Sequence, residues 1–466
     1  MFKKVLLSIA VAGALTACSK NETISTNPNP EGLDYISFSP SVPKATRGGI
    51  TDKNTMEKDE NGFYVVAYGD GAFYFNRQLA KPGTKVIKET EQKGFFLDKN
   101  YSWPSYELTF AAWYPAKLAP GHGSAEAVKS DGTAFAAGEY VSQPTWHAIG
   151  TGVEAPHTIK NYVPAKEIGN QTDIIIARTI KDPQKEGVKE SAVALNFRHI
   201  LSQISLKAKK SGEDLKVEIK SVALRNIPSK GTFKFRADND PKYTTDGNVT
   251  GSTSNPTLIP LDNWEINAPD PATTPNLTYS DKEGNNVNLQ RYDYVLSEPV
   301  VLDGTDDVVK DLLDNDQWLL IPQDFNKNNY YGEINYTWAE NGTTEGAYLA
   351  FEMCVSRKKL NADNELEEWT QIFPEPGAKR KEKDGITTTV EKGDFGWGAI
   401  GLLKTAKWEP GIHYTYTLHF TDEGVGKYDP EEWEEGGDDI LGNYIWFTVT
   451  VDEWIPTDPA DTDVKL

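Results

Sequence analysis

The sequence predicts an all-β protein, two β-sandwiches in tandem over roughly residues 34–190 and 191–466, with long surface loops. Three observations carry this. Apolar stretches are short and rich in Val, Ile, Phe, Tyr, Trp and Thr; Gly, Asn, Asp and Pro punctuate them; no long window has the period of an amphipathic helix. A chain of 466 residues suffices for two or three domains with ample core.

At the N-terminus Lys3 and Lys4 precede an apolar run, Val5–Leu15, too short to span a bilayer. "LTAC" (Leu15–Cys18) then matches a bacterial lipobox. Residues 1–17 therefore read as a lipoprotein signal peptide, Cys18 as the lipid-bearing first mature residue, and residues 18–33 as a lipid-proximal linker. Ser19 follows without an inner-membrane retention signal, which favours the outer membrane. Beyond residue 17 no apolar run is long enough for a transmembrane helix, so the expected membrane contact is through the lipid anchor alone.

"LDYISFSPSV" (Leu33–Val42) comes next, with Ile36, Phe38 and Val42 on one face at even spacing, as a strand covering an apolar groove requires. Pro40 and Pro43 end it. In "SVPKATRGGI" (Ser41–Ile50), Arg47 precedes Gly48 and Gly49, a backbone flexible enough to enter a protease cleft. Lys44 is close by, and a plain linker with a stray charge has the same composition.

Strand patterns then follow in "GFYVVAYGDGAFYF" (Gly62–Phe75), "YELTFAAWYP" (Tyr106–Pro115), "TDIIIARTI" (Thr172–Ile180), "LSQISLKAKK" (Leu201–Lys210), "LKVEIKSVALRNI" (Leu215–Ile227) and "GEINYTWA" (Gly332–Ala339). In "HYTYTLHF" (His413–Phe420), Tyr414, Tyr416 and Leu418 share one face and Thr415, Thr417 and His419 the other. "NYIWFTVTVDEW" (Asn443–Trp454) alternates equally well, with Ile445, Phe447, Val449 and Val451 on one face. "VVKDLLDND" (Val308–Asp316) is the best candidate for a short helical turn, and Ala116–Thr158, Asp238–Asn285 and Lys379–Gly393 read as surface loops. The polar stretch Lys181–Ser191 is where the domain boundary fits best.

The formal charge is −21, and −23 once residues 1–17 and their two lysines are removed. Such acidity argues against nucleic acid and anionic membrane surfaces as partners. With Cys18 lipidated, Cys354 has no intrachain mate and reads as a buried structural thiol. No HExxH, CxxC, GxSxG or phosphate loop occurs, so the expectation is no catalytic residue, no metal and no cofactor. The six histidines (122, 147, 157, 199, 413 and 419) are scattered, and His413 and His419 would stand about 20 Å apart on one strand. The acidic turns Ala237–Pro241 and Asp303–Asp307 lack ordered calcium-ligand spacing, and the twelve tryptophans lie mostly in strand patterns, which makes core packing their default role.

"LNFRHILSQISLKAK" (Leu195–Lys209) with "VEIKSVALRNIPSKGTF" (Val217–Phe233) resembles the fimbrillin-like family of Bacteroidetes surface lipoproteins. "ISFSP…ATRGG" (Ile36–Gly49), "YSWPSYELTFAAWYP" (Tyr101–Pro115) and "WEPGIHYTYTLHF" (Trp408–Phe420), completed by "IWFTVTVDEW" (Ile445–Trp454), extend the resemblance over nearly the whole chain. It implies two transthyretin-like sandwiches and a fimbrial (pilus) subunit supporting adhesion, without enzymatic activity. It also implies a trypsin-like protease that cuts after an arginine behind the first strand, here Arg47, and a neighbouring subunit whose strand refills the groove. Such a protein begins as a surface-exposed outer-membrane lipoprotein and joins the fimbrium after processing; what it adheres to, on host or bacterium, the resemblance does not name. Residues 456–466 carry Pro456 and Pro459 and would donate poorly. The row of Ile445, Phe447, Val449 and Val451 is the candidate donor if it leaves its own sheet, and otherwise an ordinary closing strand. The alternative function is an outer-membrane lipoprotein that binds glycans, for which a platform of exposed tryptophans is the distinguishing feature.

Overall fold

A computed structural model describes residues 35–41, 56, 62–70, 72–87, 90–115, 142–143, 158–189, 191–228, 231–234, 264–266, 289–304, 308–325, 347–363, 365–381, 387–402, 407–429, 432–433, 436, 438–441 and 445–453. Within them the chain is all-β apart from the helical Met56 and a 3-10 turn at Ile168–Asn170.

The N-terminal strands are β1 (Phe38–Ser41), β2 (Phe63–Gly69), β3 (Ala72–Ile87), β4 (Thr90–Leu97), β5 (Leu108–Tyr114), β6 (Ser142–Gln143), β7 (Thr158–Tyr162), β8 (Ile175–Lys181), β9 (Val193–Asn196) and β10 (Arg198–His199). All but β6 and β7 form one sheet in the order β10-β8-β5-β2-β3-β4-β1-β9. β9 and β10 are two parts of one extended stretch around Phe197; its first part pairs with β1 and its second with β8, so the sheet closes on itself. The stretch Lys181–Ser191 thus connects two members of one sheet. The β2–β3 turn uses Asp70 at a φ of 46°, a left-handed conformation that Asp tolerates and hairpins require.

β5 is buried at every position, because both faces of this sheet carry apolar layers. One face holds an aromatic core of Phe38, Phe63, Phe95, Phe110 and Phe197. The other places Val66, Ala111, Trp113 and Ile176 against Phe233, Trp264, Leu319 and Ile321 from later in the chain.

The remaining strands are β11 (Ser202–Lys210), β12 (Leu215–Pro228), β13 (Gly231–Lys234), β14 (Trp264–Ile266), β15 (Leu289–Leu302), β16 (Lys310–Asp311), β17 (Trp318–Leu320), β18 (Gln323–Asp324), β19 (Tyr348–Leu360), β20 (Leu366–Phe373), β21 (Lys379–Lys381), β22 (Thr387–Thr389), β23 (Gly396–Gly401), β24 (Lys407–Trp408), β25 (Ile412–Phe420), β26 (Lys427–Tyr428) and β27 (Trp446–Glu453). A sheet ordered β16-β11-β25-β27, with β17 beside β11, packs on one ordered β15-β12-β19-β23-β26, with β20 beside β19. The alternating apolar residues of both, such as Leu206, Leu418, Val217 and Phe351, share one core. β14-β13-β7-β6 forms a smaller sheet that joins the two parts of the chain.

Four sequence expectations are corrected, and the expected strand Gly332–Ala339 lies outside the described residues. The expected loops Ala116–Thr158 and Asp238–Asn285 hold the short strands β6 and β14, and Trp264 of β14 is a core residue. Val308–Asp316 makes no helical turn; it forms β16 and a tight loop. The Asp311 carboxylate accepts the N–H groups of Leu313 (2.8 Å) and Asn315 (2.9 Å), and Asp314 and Asn315 are both left-handed, so side-chain bonding and backbone outcompete a helix. Lys379–Gly393 is more than a loop, since β21 and β22 pair there as a hairpin. Lys379 and Arg380 donate to the hydroxyls of Thr389 and Thr388 across that polar ladder.

Candidate functional site

The candidate site is the place β1 occupies. Three polar or strand-ending residues surround a single large aromatic in "FSPS", so β1 is short and carries its burial in Phe38. Phe38 is fully buried, edge-on to Phe63 (6.0 Å between ring centroids) and to Phe110 (5.8 Å). Ile36, two residues earlier on the same face, is buried in the same core, while Tyr35 is exposed.

The hydrogen bonding of β1 is lopsided. It lies parallel to β9 in a four-residue register, Phe38↔Val193 through Ser41↔Asn196, and the Val193 N–H donates to the Ser37 carbonyl at 2.8 Å. In a parallel ladder alternate residues turn both backbone groups to the same neighbour. Ser37, Ser39 and Ser41 therefore face β9, and Phe38 and Pro40 face β4. Ile36 follows the second set, its N–H donating to the Tyr101 carbonyl at 2.8 Å. Pro40 has no N–H to give, and the pairing with β4 is correspondingly one residue long, Phe38↔Phe95. β1 is inserted into the middle of a sheet, yet it is stitched firmly along one side only.

Ile36 and Phe38 come together in the core as their spacing requires; Val42, Arg47 and Cys18 lie outside the described residues. The second sequence-predicted group is on β27, which pairs with β25 through eight residues without a bulge. Ile445 is buried, and Phe447, Val449 and Val451 pack half-buried against the core shared with β12 and β19. The two groups belong to different cores.

Groups with chemical potential are accounted for structurally. Cys354 is buried on β19; burial pushes its thiol up, and the charge of Glu218 adds to this, so it is a poor nucleophile. His199 sits 2.9 Å from the Asp173 carboxylate in a buried pair. His413 meets the Ser205 hydroxyl at 2.8 Å, but Ser205 is itself buried inside the sheet and cannot reach a substrate. His122, His147 and His157 and the turn Ala237–Pro241 lie outside the described residues, among which no cluster suits a metal. Trp103, Trp113, Trp264, Trp318, Trp408 and Trp433 are core residues, and Trp446 alone of the described tryptophans is exposed. No helix among the described residues is long and apolar enough to cross a membrane.

Sequence reasoning missed two charged clasps. Arg225 on β12 pairs with Asp429 after β26, both buried, with the guanidinium 4.5 Å from the Trp397 ring centroid. Lys210 donates to Asp422 and to the Gly212 carbonyl, both at 2.6 Å. Burial opposes ionisation of Asp422, but the Lys210 bond and the N–H groups of Asp214 and Leu215 outweigh it and hold the carboxyl below its ordinary range. Each partner lies some two hundred residues from the other, and nothing in local pattern marks either pair.

The family model described as fimbrillin-like matches residues 46–283. No curated protein matches the chain. Similar solved structures include a candidate cell adhesion protein from Bacteroides eggerthii DSM 20697, at 11% identity over 92% of this chain and 98% of that one, with a TM-score of 0.36. Another, from Parabacteroides distasonis ATCC 8503, has 7% identity over 91% and 96% of the two chains and a TM-score of 0.37. A fimbrial assembly protein from Parabacteroides distasonis ATCC 8503 has 8% identity over 90% and 96%, with a TM-score of 0.32.

Proposed function

The chain belongs to the fimbrillin-like family, and from that premise we propose that it is a non-enzymatic subunit of a cell-surface fimbria, a structural or accessory member, whose β1 is a removable plug. In this reading Cys18 carries lipid to the outer membrane, and a trypsin-like protease cuts after Arg47. The cut separates the lipid-bearing segment with β1 from residues 48–466. The backbone edges of β4 and β9 and the Phe38 cavity then lie open, and a strand from a neighbouring subunit fills them.

The observation that carries this is the setting of β1. β1 sits mid-sheet with a single paired residue toward β4, and beyond it only the Ile36 N–H bond to Tyr101 and the Tyr35–Ser102 bridge are seen on that side among the described residues. A strand meant to be replaced needs a deep side-chain slot, which Phe38 marks, and few bonds to break. β27 remains in its own sheet in this proposal; its unbroken ladder to β25 and the buried Ile445 support a closing strand. The incoming strand then comes from a different subunit, which suits an accessory or terminal position.

Mass spectrometry of the N-terminus in cell-surface and shed fractions tests the proposal. Chains beginning at Gly48 are expected in assembled material. A lipidated Cys18 in every fraction would overturn processing and leave a permanently anchored lipoprotein.

A further inference from the structure

Among the described strands β27 is an edge strand of its sheet, with β25 as its sole neighbour. The edge β15 is interrupted, since Val295 pairs opposite Ser221 but Val300 opposite Ile219, and the excursion between them carries Glu298 and Pro299. The edges β16 and β26 are two residues long, and β20 carries Glu367 and Glu368. These are the usual guards against edge-to-edge pairing. β27 has none over Ile445–Val451, seven residues without charge, proline or glycine.

Its side chains are unfinished on the outer side. On β25, Tyr414, Tyr416 and Leu418 are buried; opposite them Val451, Val449 and Phe447 are only half-buried. Trp446 stacks on His419 with one face (5.3 Å, 28°) and is 50% exposed. A further strand alongside would cover both.

We propose that this strand is β27 of a second copy, antiparallel about a two-fold axis through Val449. In that register Phe447 faces Val451 and Val449 faces Val449 on the core side, and Thr448 faces Thr450 on the outer side. Trp446 faces Asp452, setting an indole N–H donor opposite a carboxylate. Over residues 446–452 apolar meets apolar, hydroxyl meets hydroxyl and no like charges oppose, while Ile445 stands opposite Glu453 at each end. The strand is self-complementary in this register, as an isologous contact requires. The contact is lateral, lies away from the β1 slot, and does not depend on strand exchange.

The test uses residues 19–466, which keep β1 in place, so association cannot arise through an emptied slot. Two single variants, Thr448→Cys and Thr450→Cys, are oxidised separately and as an equal mixture; Cys354 is buried in both. A disulfide-linked dimer is expected from the mixture and at least tenfold less from either variant alone, since each residue faces the other kind. The unmodified chain should show a dimer by sedimentation velocity that strengthens from 50 to 500 mM salt, because the copies repel through their net negative charge. A monomer at every salt concentration overturns the proposal, as does cross-linking of Thr448→Cys alone equal to the mixture.

Discussion

The first and last strands of this chain make opposite use of the same chemistry. β1 has a neighbour on each side and is weakly bonded along one; β27 has a neighbour on one side and is fully bonded along it. The surroundings differ to match. The core around β1 is held by apolar and aromatic contacts, which re-form around any strand that supplies an aromatic of similar size. The sandwich that ends in β27 carries the Arg225–Asp429 and Lys210–Asp422 clasps, which fasten distant segments. A region suited to exchanging a strand is packed with non-directional contacts; a region suited to staying closed has directional ones.

The comparison is broken most directly by truncating one aromatic in each strand. Phe38→Ala should cost about 3–5 kcal/mol and Phe447→Ala, half-buried at an edge, about half of that. Denaturant unfolding of residues 19–466 measures both, and equal losses would mean that β1 is held no more by its slot than β27 by its edge. Arg225→Ala sharpens the other half. It leaves the Asp429 carboxylate buried without its cation and should cost about 3 kcal/mol, with Arg225→Lys recovering only part because one ammonium cannot reproduce the guanidinium contact with Trp397.

The smallest effect is one of pH. Burial pushes Glu432 up to about 7, and the charges of Asp429 and Glu352 add to this, while the Trp397 N–H at 2.6 Å and Arg380 work against it. Its folded pKa lies above the unfolded one, so the folded state binds more protons between the two. The stabilisation is complete below about 4.5 and is lost as pH rises to about 7. Unfolding free energy should fall across that window, and Glu432→Gln should flatten the slope. An unchanged slope in that variant would assign the titration elsewhere.

Much of the fold was legible from pattern. The alternation in His413–Phe420 named which side chains of β25 are buried, and the aromatic run Tyr106–Pro115 marked β5, though not that both of its faces are covered. Ile36 and Phe38 were correctly grouped by spacing. Val308–Asp316 misled because aspartates there bond the backbone N–H groups that a helix would use. Lys379–Gly393 concealed a hairpin because its cross-strand bonds are Lys and Arg to Thr, a pairing with no apolar signature. The clasps were invisible because a charged residue in a strand pattern looks the same whether it faces water or a buried partner two hundred residues away.

By itself the sequence determined that the chain is β, where several strands run and, in those that alternate, which face is apolar, because side chains on a strand alternate with a period of two whatever lies beside it. Only the tertiary structure decided who lies beside whom: that β9 returns to β1, that β4 meets β1 at a single residue, and that β27 is left with one neighbour. Every strand offers the same backbone N–H and C=O groups at its edges. Its partner is therefore chosen by how the cores close as a whole, which is information no single stretch of the chain contains.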